Sequence, residues 1–348
     1  MKILIRATNW VGDAIMALPA LRAVRTRFSS AQIAILARPY VADIYRGQQI
    51  CDQLIPYDPS REHGGLSGRE RLARELRSHR FDLALLLQNA FDAAWLAWRA
   101  GIPQRIGYAR DGRSLLLTKA VAVPKPGEIP AHEQYYYLEL IRRAGWLDTL
   151  SGEKGISLKL APGAMEQAEN RLLAAGSRPK ALRAAIGAGA SYGSAKCWPP
   201  EKFTDLANRL TAQFDADVIL FGTSAESSVS SAIAAGMRRP PLDLTGKTAI
   251  AELPALLSRC HLFIGNDSGA MHVAAAVGLP IVAVFGPTDP NGTAPITPRC
   301  TVIREKPYCS PCFLRRCPTD HRCMTGISVE AVQKAALSWL QSPEVRPA

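Results

Sequence analysis

Residues 265–290 read GNDSGAMHVAAAVGLPIVAVFGPTDP, and the five residues that lead into them, 261–265, read HLFIG. The apolar run stops at Asn266-Asp267-Ser268-Gly269, a helical pattern opens at once, and the chain returns through the apolar run PIVAVFG. Strand, helix and strand in so few residues describe a βαβ unit, because parallel neighbours need a crossover that a helix supplies. Strands this continuously apolar lie in a sheet covered on both faces. In such a sheet, ligands sit beyond the carboxyl ends of the strands, where 266–269 lies.

The same alternation extends in both directions. Upstream, LRAAIGAG and ADVILFG read as strands, with helices in PEKFTDLANRLTAQF and SAESSVSSAIAAG. The first half repeats the pattern. KILIRA, AQIAILA, DQLIPYD and FDLALLL read as strands, and GRERLARELRSHR and FDAAWLAWRAG as helices. After GDAIMAL, Pro19 either kinks a helix or opens its second segment. SGEKG, LAPG and GSRPK mark a break between the halves. The expected architecture is α/β with two doubly wound Rossmann-like domains, 1–175 and 176–327. A terminal helix and tail, 328–348, would end in a frayed SPEVRPA.

Composition agrees with two soluble domains. The 348 residues suggest about two at ~150 residues each, and 47% apolar with 21% charged residues is globular usage. No run approaches ~18 uncharged apolar residues, and the N-terminus has no signal-peptide pattern, which together suggest the cytoplasm. The formal charge of +12, from 42 Lys plus Arg against 30 Asp plus Glu, favours anionic partners. Phe, Trp and Tyr make up 7%, and nothing interleaves aromatic with basic residues as an RNA platform would, so no nucleic-acid partner is expected.

Five corners carry the chemistry. At 266–269, a helix N-terminus offers unpaired N–H groups and partial positive charge, Ser268 a hydroxyl and Gly269 close backbone approach, a combination that attracts phosphate. The competing reading is a plain helix cap, for which Asp and Ser are preferred types. His272, one turn in, reads equally as a core histidine. At ILFGTSAES, Glu226 can accept from ribose hydroxyls or can simply be a favourable helix-dipole acid. IGAGASYGSAKCWPP gives a loop of small residues around Ser191 and Ser194 that can wrap a diphosphate, with Lys196 as a point charge. VFGPTDPNG ends the last strand in a turn-rich loop. In the first half, ATNWVGDAIMALP places Asp13 in the first turn of a helix at the sheet's carboxyl edge, where it is either a cap or a base able to take a proton. No Walker loop or dinucleotide fingerprint occurs, which argues against an ATPase and a dehydrogenase. A glycosyltransferase, a nucleotide-sugar epimerase and a basic nucleotide- or nucleic-acid-binding protein remain in play.

KILIRATNWVGDAIMALPALRAVR, GASYGSAKCWPPEKF, LFGTSAES and the block 265–290 resemble the lipopolysaccharide heptosyltransferases of glycosyltransferase family nine over roughly residues 1–300. QNAFDAAWLAWRAGIPQRIGYARDGR is closer to the heptosyltransferase two branch than to branch one. The resemblance implies a GT-B fold with its two domains facing across a cleft. It implies transfer of L-glycero-D-manno-heptose from ADP-heptose to heptosyl-Kdo2-lipid A, with inversion and no catalytic metal. Asp13 would then be the general base. Lys196, with Ser191 or Ser194, would hold the donor phosphates, and Glu226 the ribose. Asp267 would meet heptose hydroxyls, Ser268 and Gly269 the diphosphate, and His272 would lie beside the donor. Arg105, Arg110 and Arg113 are candidate contacts for the anionic acceptor. A lipid-linked acceptor implies transient attachment to the inner leaflet of the inner membrane.

Eight cysteines are present. Cys51, Cys197, Cys260 and Cys300 are scattered and read as small apolar side chains. Cys309, Cys312, Cys317 and Cys323 cluster in PYCSPCFLRRCPTDHRCM with His321 among them. The CxxC pair suits a metal hairpin, but the later spacings are irregular, so a structural Zn²⁺ and a run of free thiols are both open. The cluster comes after the nucleotide block and is expected to lie outside catalysis.

Overall fold

A computed structural model describes residues 1–342; the rest of the tail expected to fray, 343–348, lies outside the described residues. Two six-stranded parallel sheets form the frame. The first contains β1 (Lys2–Arg6), β2 (Gln32–Ala37), β3 (Gln53–Pro56), β4 (Leu83–Leu86), β5 (Gln104–Tyr108) and β6 (Lys119–Val121), in the order β3-β2-β1-β4-β5-β6. The second contains β7 (Arg183–Gly187), β8 (Asp217–Leu220), β9 (Leu242–Asp243), β10 (Leu262–Asn266), β11 (Ile281–Phe285) and β12 (Cys300–Arg304), in the order β12-β11-β10-β7-β8-β9. Read from the other edge, this is the same 3-2-1-4-5-6 winding. Each sheet therefore reverses direction once, between β1 and β4 in the first and between β7 and β10 in the second. That reversal is where a doubly wound sheet opens a crevice for ligand.

Register reflects burial. β1 lies between two partners, with Ile3 opposite both Ile33 and Leu83. β10 and β11 are buried along their whole length, and Phe263 pairs with Ala185 on one side and Ile281 on the other. Each such side chain contributes about 1.5–3 kcal/mol by leaving water. Trp198, Phe203, Leu206, Leu210 and Ile264 share one core in the second unit with Met324. Leu4, Leu36, Leu72, Leu76, Leu86 and Leu96 share another in the first.

Three features go beyond or against the sequence reading, each with a physical cause. First, Pro19 opens a second segment: helix Val11–Met16 ends at Ala17, and Leu18–Arg27 begins with the proline in its first turn, where no N–H is needed. Second, β5, β6 and β12 are strands that no apolar run announces. β6 and β12 are sheet edges, and β12 is only half-buried, so it needs no apolar run. Third, the compact units are Met1–Glu153 and Lys154 onward, so residues 154–175 join the second unit rather than the first. Arg22 pairs with Glu153 at 2.6 Å on the first unit, whereas Leu158 N donates to Ala276 O at 2.8 Å in the second.

Helix Ala164–Ala174 is fixed to the second sheet by Glu169, whose carboxylate accepts from Arg183 at 2.6 and 2.7 Å and from Arg259 at 2.8 Å. The Arg183 hydrogen bonds lead in pulling the Glu169 pKa from 4.5 to about 2. A carboxylate depressed on folding stabilises the protein fully above its unfolded value and loses that contribution as pH falls through the folded value. Glu169→Gln is expected to cost about 2 kcal/mol at neutral pH, since charge-assisted hydrogen bonds to a buried guanidinium are lost. Thermal melts from pH 7 to pH 2 should show the variant and the wild type converging between about pH 4.5 and 2. A constant offset over that range would assign the loss to packing instead.

Candidate functional site

In the second unit, the loops that leave β7 and β10 at the reversal lock together. Asn266, fully buried, accepts from Trp198 N at 3.0 Å and donates to Ala188 O at 2.6 Å. Trp198 in turn donates its indole N–H to Ile327 O at 3.1 Å. This fixes Lys196, in the short turn Ser194–Lys196, against the β10 corner. Its Nζ lies 2.5 Å from Asp267 Oδ2, and Thr288 Oγ1 donates to the same oxygen at 2.7 Å. Asp267 is 5% exposed, so the pair is held in a setting where charge is poorly screened.

At the corner the capping position is not taken by a side chain. Ser268 precedes helix Gly269–Ala276 in extended backbone. Asp267 is turned through Oδ2 to Lys196 and Thr288 instead. Ser268 Oγ is buried with no hydrogen-bond partner among the described residues. A buried hydroxyl left unmade costs about 1–3 kcal/mol. The first-turn N–H groups and that hydroxyl are groups of the kind that suit an anion. His272, 5% exposed, lies one turn along the same helix.

Ser191 and Ser194 are exposed in the loop after β7, and among the described residues no hydrogen bond engages either hydroxyl. Glu226 closes the short turn Ser224–Glu226: its Oε2 accepts from Thr223 N at 2.7 Å and Thr223 Oγ1 at 3.0 Å, a capping box. The carboxylate also lies against Gly189, where a Cβ would collide with it. Glu226 thus spans the loops after β7 and β8, with Oε2 in the capping box and Oε1 against Gly189. Thr288 and Asn266, which complete the corner, are the residues that the sequence reading misses. Both are small polar residues at or just beyond a strand end, and their only signal is that position.

In the first unit, the loop after β1 is built on Arg6, 1% exposed. Arg6 donates to Ala7 O at 2.6 Å and Asn9 Oδ1 at 2.8 Å, and its guanidinium lies 4.8 Å from the Tyr57 ring centre. Burial pushes it down to about 10. Asp13 sits half-buried in the first turn of helix Val11–Met16. Tyr45 and Tyr137 are buried close enough for its charge to reinforce the upward push that burial gives both phenols.

Of the three arginines, only Arg110 is presented to solvent, 3.4 Å from the Tyr136 hydroxyl. Arg113 is fully buried and donates to Tyr108 O at 3.0 Å, Asn89 Oδ1 at 2.8 Å and Gln88 O. Arg105 donates to Leu116 O at 2.6 Å and Ile102 O at 2.5 Å. The last two guanidinium groups are consumed in tying loop carbonyls beside β5. Among the described residues, no helix is long and apolar enough to cross a membrane.

Cys309, Cys312 and Cys317 lie close enough to Cys323 for their charges to add to the upward push that burial gives its thiol. Among the described residues, no three His, Cys, Asp or Glu side chains are grouped to hold an ion. Cys323 is a core residue whose Sγ packs where Gly286 leaves room for it. Cys309 is exposed, and the Cys317 thiol lies 3.4 Å from Thr319 Oγ1, which draws its pKa below the usual range.

Residues 69–322 match the sequence profile of Glycosyltransferase family 9 (heptosyltransferase). The chain belongs to that family. Family 9 enzymes are glycosyltransferases, and the two doubly wound units give this one its GT-B fold. Lipopolysaccharide heptosyltransferase 2 of Salmonella typhimurium is 30% identical over 314 residues, 87% of this chain and 88% of the relative. The solved structure of E. coli ADP-heptose lps heptosyltransferase II superposes with a TM-score of 0.82 at 27% identity, covering 99% of this chain and 100% of that one. A family 9 member from Veillonella parvula gives 0.85 at 24% identity, with 97% of each chain covered, and so shares the fold.

Proposed function

We infer that this family 9 enzyme transfers L-glycero-D-manno-heptose from ADP-heptose to the heptosyl-Kdo2-lipid A inner core, inverting the anomeric carbon, with Asp13 as general base. The carrying observation is the uncapped helix corner at 268–269 with its buried Ser268 hydroxyl, unpartnered among the described residues, beside Lys196. The names of the relatives support heptose as the sugar and ADP as its carrier.

In this reading, the diphosphate lies on the Ser268 hydroxyl and the N–H groups from Gly269 onward, with Lys196 and the hydroxyls of Ser191 and Ser194 beside it. Glu226 Oε1 accepts from the ribose. Asp267 orients Lys196 through Oδ2 and offers Oδ1 to the heptose. His272 backs the corner from within the helix. As the bond from the anomeric carbon to phosphate breaks, the electron pair leaves with ADP, and fixed N–H dipoles and Lys196 stabilise that growing charge more than the bound substrate. The acceptor hydroxyl attacks from the opposite face and gives its proton to Asp13. Arg110 contacts the anionic acceptor, while Arg105 and Arg113 shape the loop that presents it. A net charge of +12 suits an acceptor in an anionic leaflet, at about 1 kcal/mol for each Lys or Arg near the surface, which supports peripheral action at the cytoplasmic side of the membrane.

A panel of sugar nucleotides, each offered with a Kdo-containing lipid acceptor and assayed for nucleoside diphosphate release, tests the reading. Turnover is expected with ADP-heptose. Turnover confined to UDP- or GDP-sugars overturns the specificity.

A further inference from the structure

The cysteine-rich segment does not lie apart from the nucleotide loop, as its place in the sequence suggests; it folds back onto it. Cys312 N and Phe313 N donate to Pro287 O at 3.0 and 2.8 Å, and Ser310 Oγ to Gly286 O at 2.6 Å, which pins the segment to the end of β11. From there it reaches the loop after β7. Tyr192 donates its hydroxyl to Phe313 O at 2.7 Å, Ala195 N donates to Arg315 O at 3.1 Å, and His321 Nε2 lies 2.7 Å from Ala195 O. The approach is so close that a Cβ at Gly193 would run into the Arg315 carbonyl oxygen.

The consequence is electrostatic. One aromatic ring, Tyr192, carries two cations: Lys196 Nζ at 4.8 Å and the Arg315 guanidinium at 5.3 Å from its centre. Asp267 neutralises Lys196. Arg315 has no ion-pair partner among the described residues, so one positive charge is left over beside the loop. Its backbone is tethered and its guanidinium rests on a ring, so little side-chain freedom remains to be lost on binding. A planar fork of N–H donors pairs bidentately with phosphate oxygens.

We propose that Arg315, carried by the cysteine-rich segment, is a further donor-binding residue that grips the diphosphate of the nucleotide sugar. This rests on the donor reading of the 266–269 corner. It gives the segment a task in binding that requires no metal: the segment is the second wall of the phosphate loop, and the packing of Cys323 and Met324 into the core anchors that wall.

Titration calorimetry with ADP and with AMP, on wild type, Arg315→Met and Arg316→Ala, tests the assignment. Methionine keeps the apolar stem against Tyr192, and Arg316 is the adjacent exposed control. Arg315→Met is expected to weaken ADP about tenfold and AMP less than twofold, so that the preference for ADP over AMP collapses, while Arg316→Ala leaves it intact. An unchanged preference in Arg315→Met overturns the assignment, whether both nucleotides bind as before or weaken together. Failure of the wild type to bind ADP overturns the donor reading itself, and the role of Arg315 with it. Should Arg315→Met fail to fold, Arg315→Lys keeps the charge without the fork and is expected to lower the same preference about threefold; an unchanged preference there overturns the assignment equally.

Discussion

Asp13→Asn is expected to lower kcat about 10³-fold, within the range of about 10²–10⁴ that a positioned base contributes. Asparagine keeps the size and hydrogen-bonding shape of the side chain but cannot take a proton. ADP affinity should stay within about twofold of wild type, because the donor corner belongs to the other compact unit. The acid limb of the pH–rate profile, which reports protonation of the base, should vanish from the residual activity. Steady-state kinetics and ADP titration on the same preparation separate these effects. A variant that retains most of its turnover would remove Asp13 from the chemistry and leave the donor site standing.

Lys196→Ala is expected to lower kcat/KM by about 10²–10³, comparable to loss of one strong donor to a developing oxyanion. The effect is compounded because Asp267, 5% exposed, is left as an uncompensated acid at the phosphate corner. Removing that acid charge as well should therefore repair part of the damage. Lys196→Ala with Asp267→Asn is expected to bind ADP more tightly than Lys196→Ala alone, a coupling that independent sites would not show. If the double variant binds ADP no better than the single one, the Lys196–Asp267 pair is not the charge balance that the diphosphate meets.

The parts of this molecule that the sequence declares are those whose physics is local. HLFIG and PIVAVFG declare buried parallel strands, since their apolar character persists through every residue, and the break after each is a crossover corner. Asp13, Lys196 and Ser268 stand out as chemistry-bearing types at such corners, and the structure sets each at or near a reversal of strand order. Two of the edge strands, β6 and β12, are silent because an edge needs no apolar run: half-buried β12 is CTVIR. Roles set by partners distant in sequence are silent too. Nothing near Arg113 says that it will be swallowed between the loops after β4 and β5, and nothing near Arg315 says that it will be laid on Tyr192, 123 positions before it. The unit boundary escapes a sequence reading for the same reason, since the tie of Glu169 to Arg183 and Arg259 joins helix Ala164–Ala174 to the second sheet.

Whether the corner at 266–269 receives a nucleoside diphosphate is read from a crystal structure of the enzyme soaked with ADP. A phosphate oxygen is expected within about 3 Å of Ser268 Oγ and of the Gly269 or Ala270 N–H, with the ribose on Glu226. ADP bound with its phosphates elsewhere, leaving Ser268 Oγ unpartnered, would contradict the donor reading.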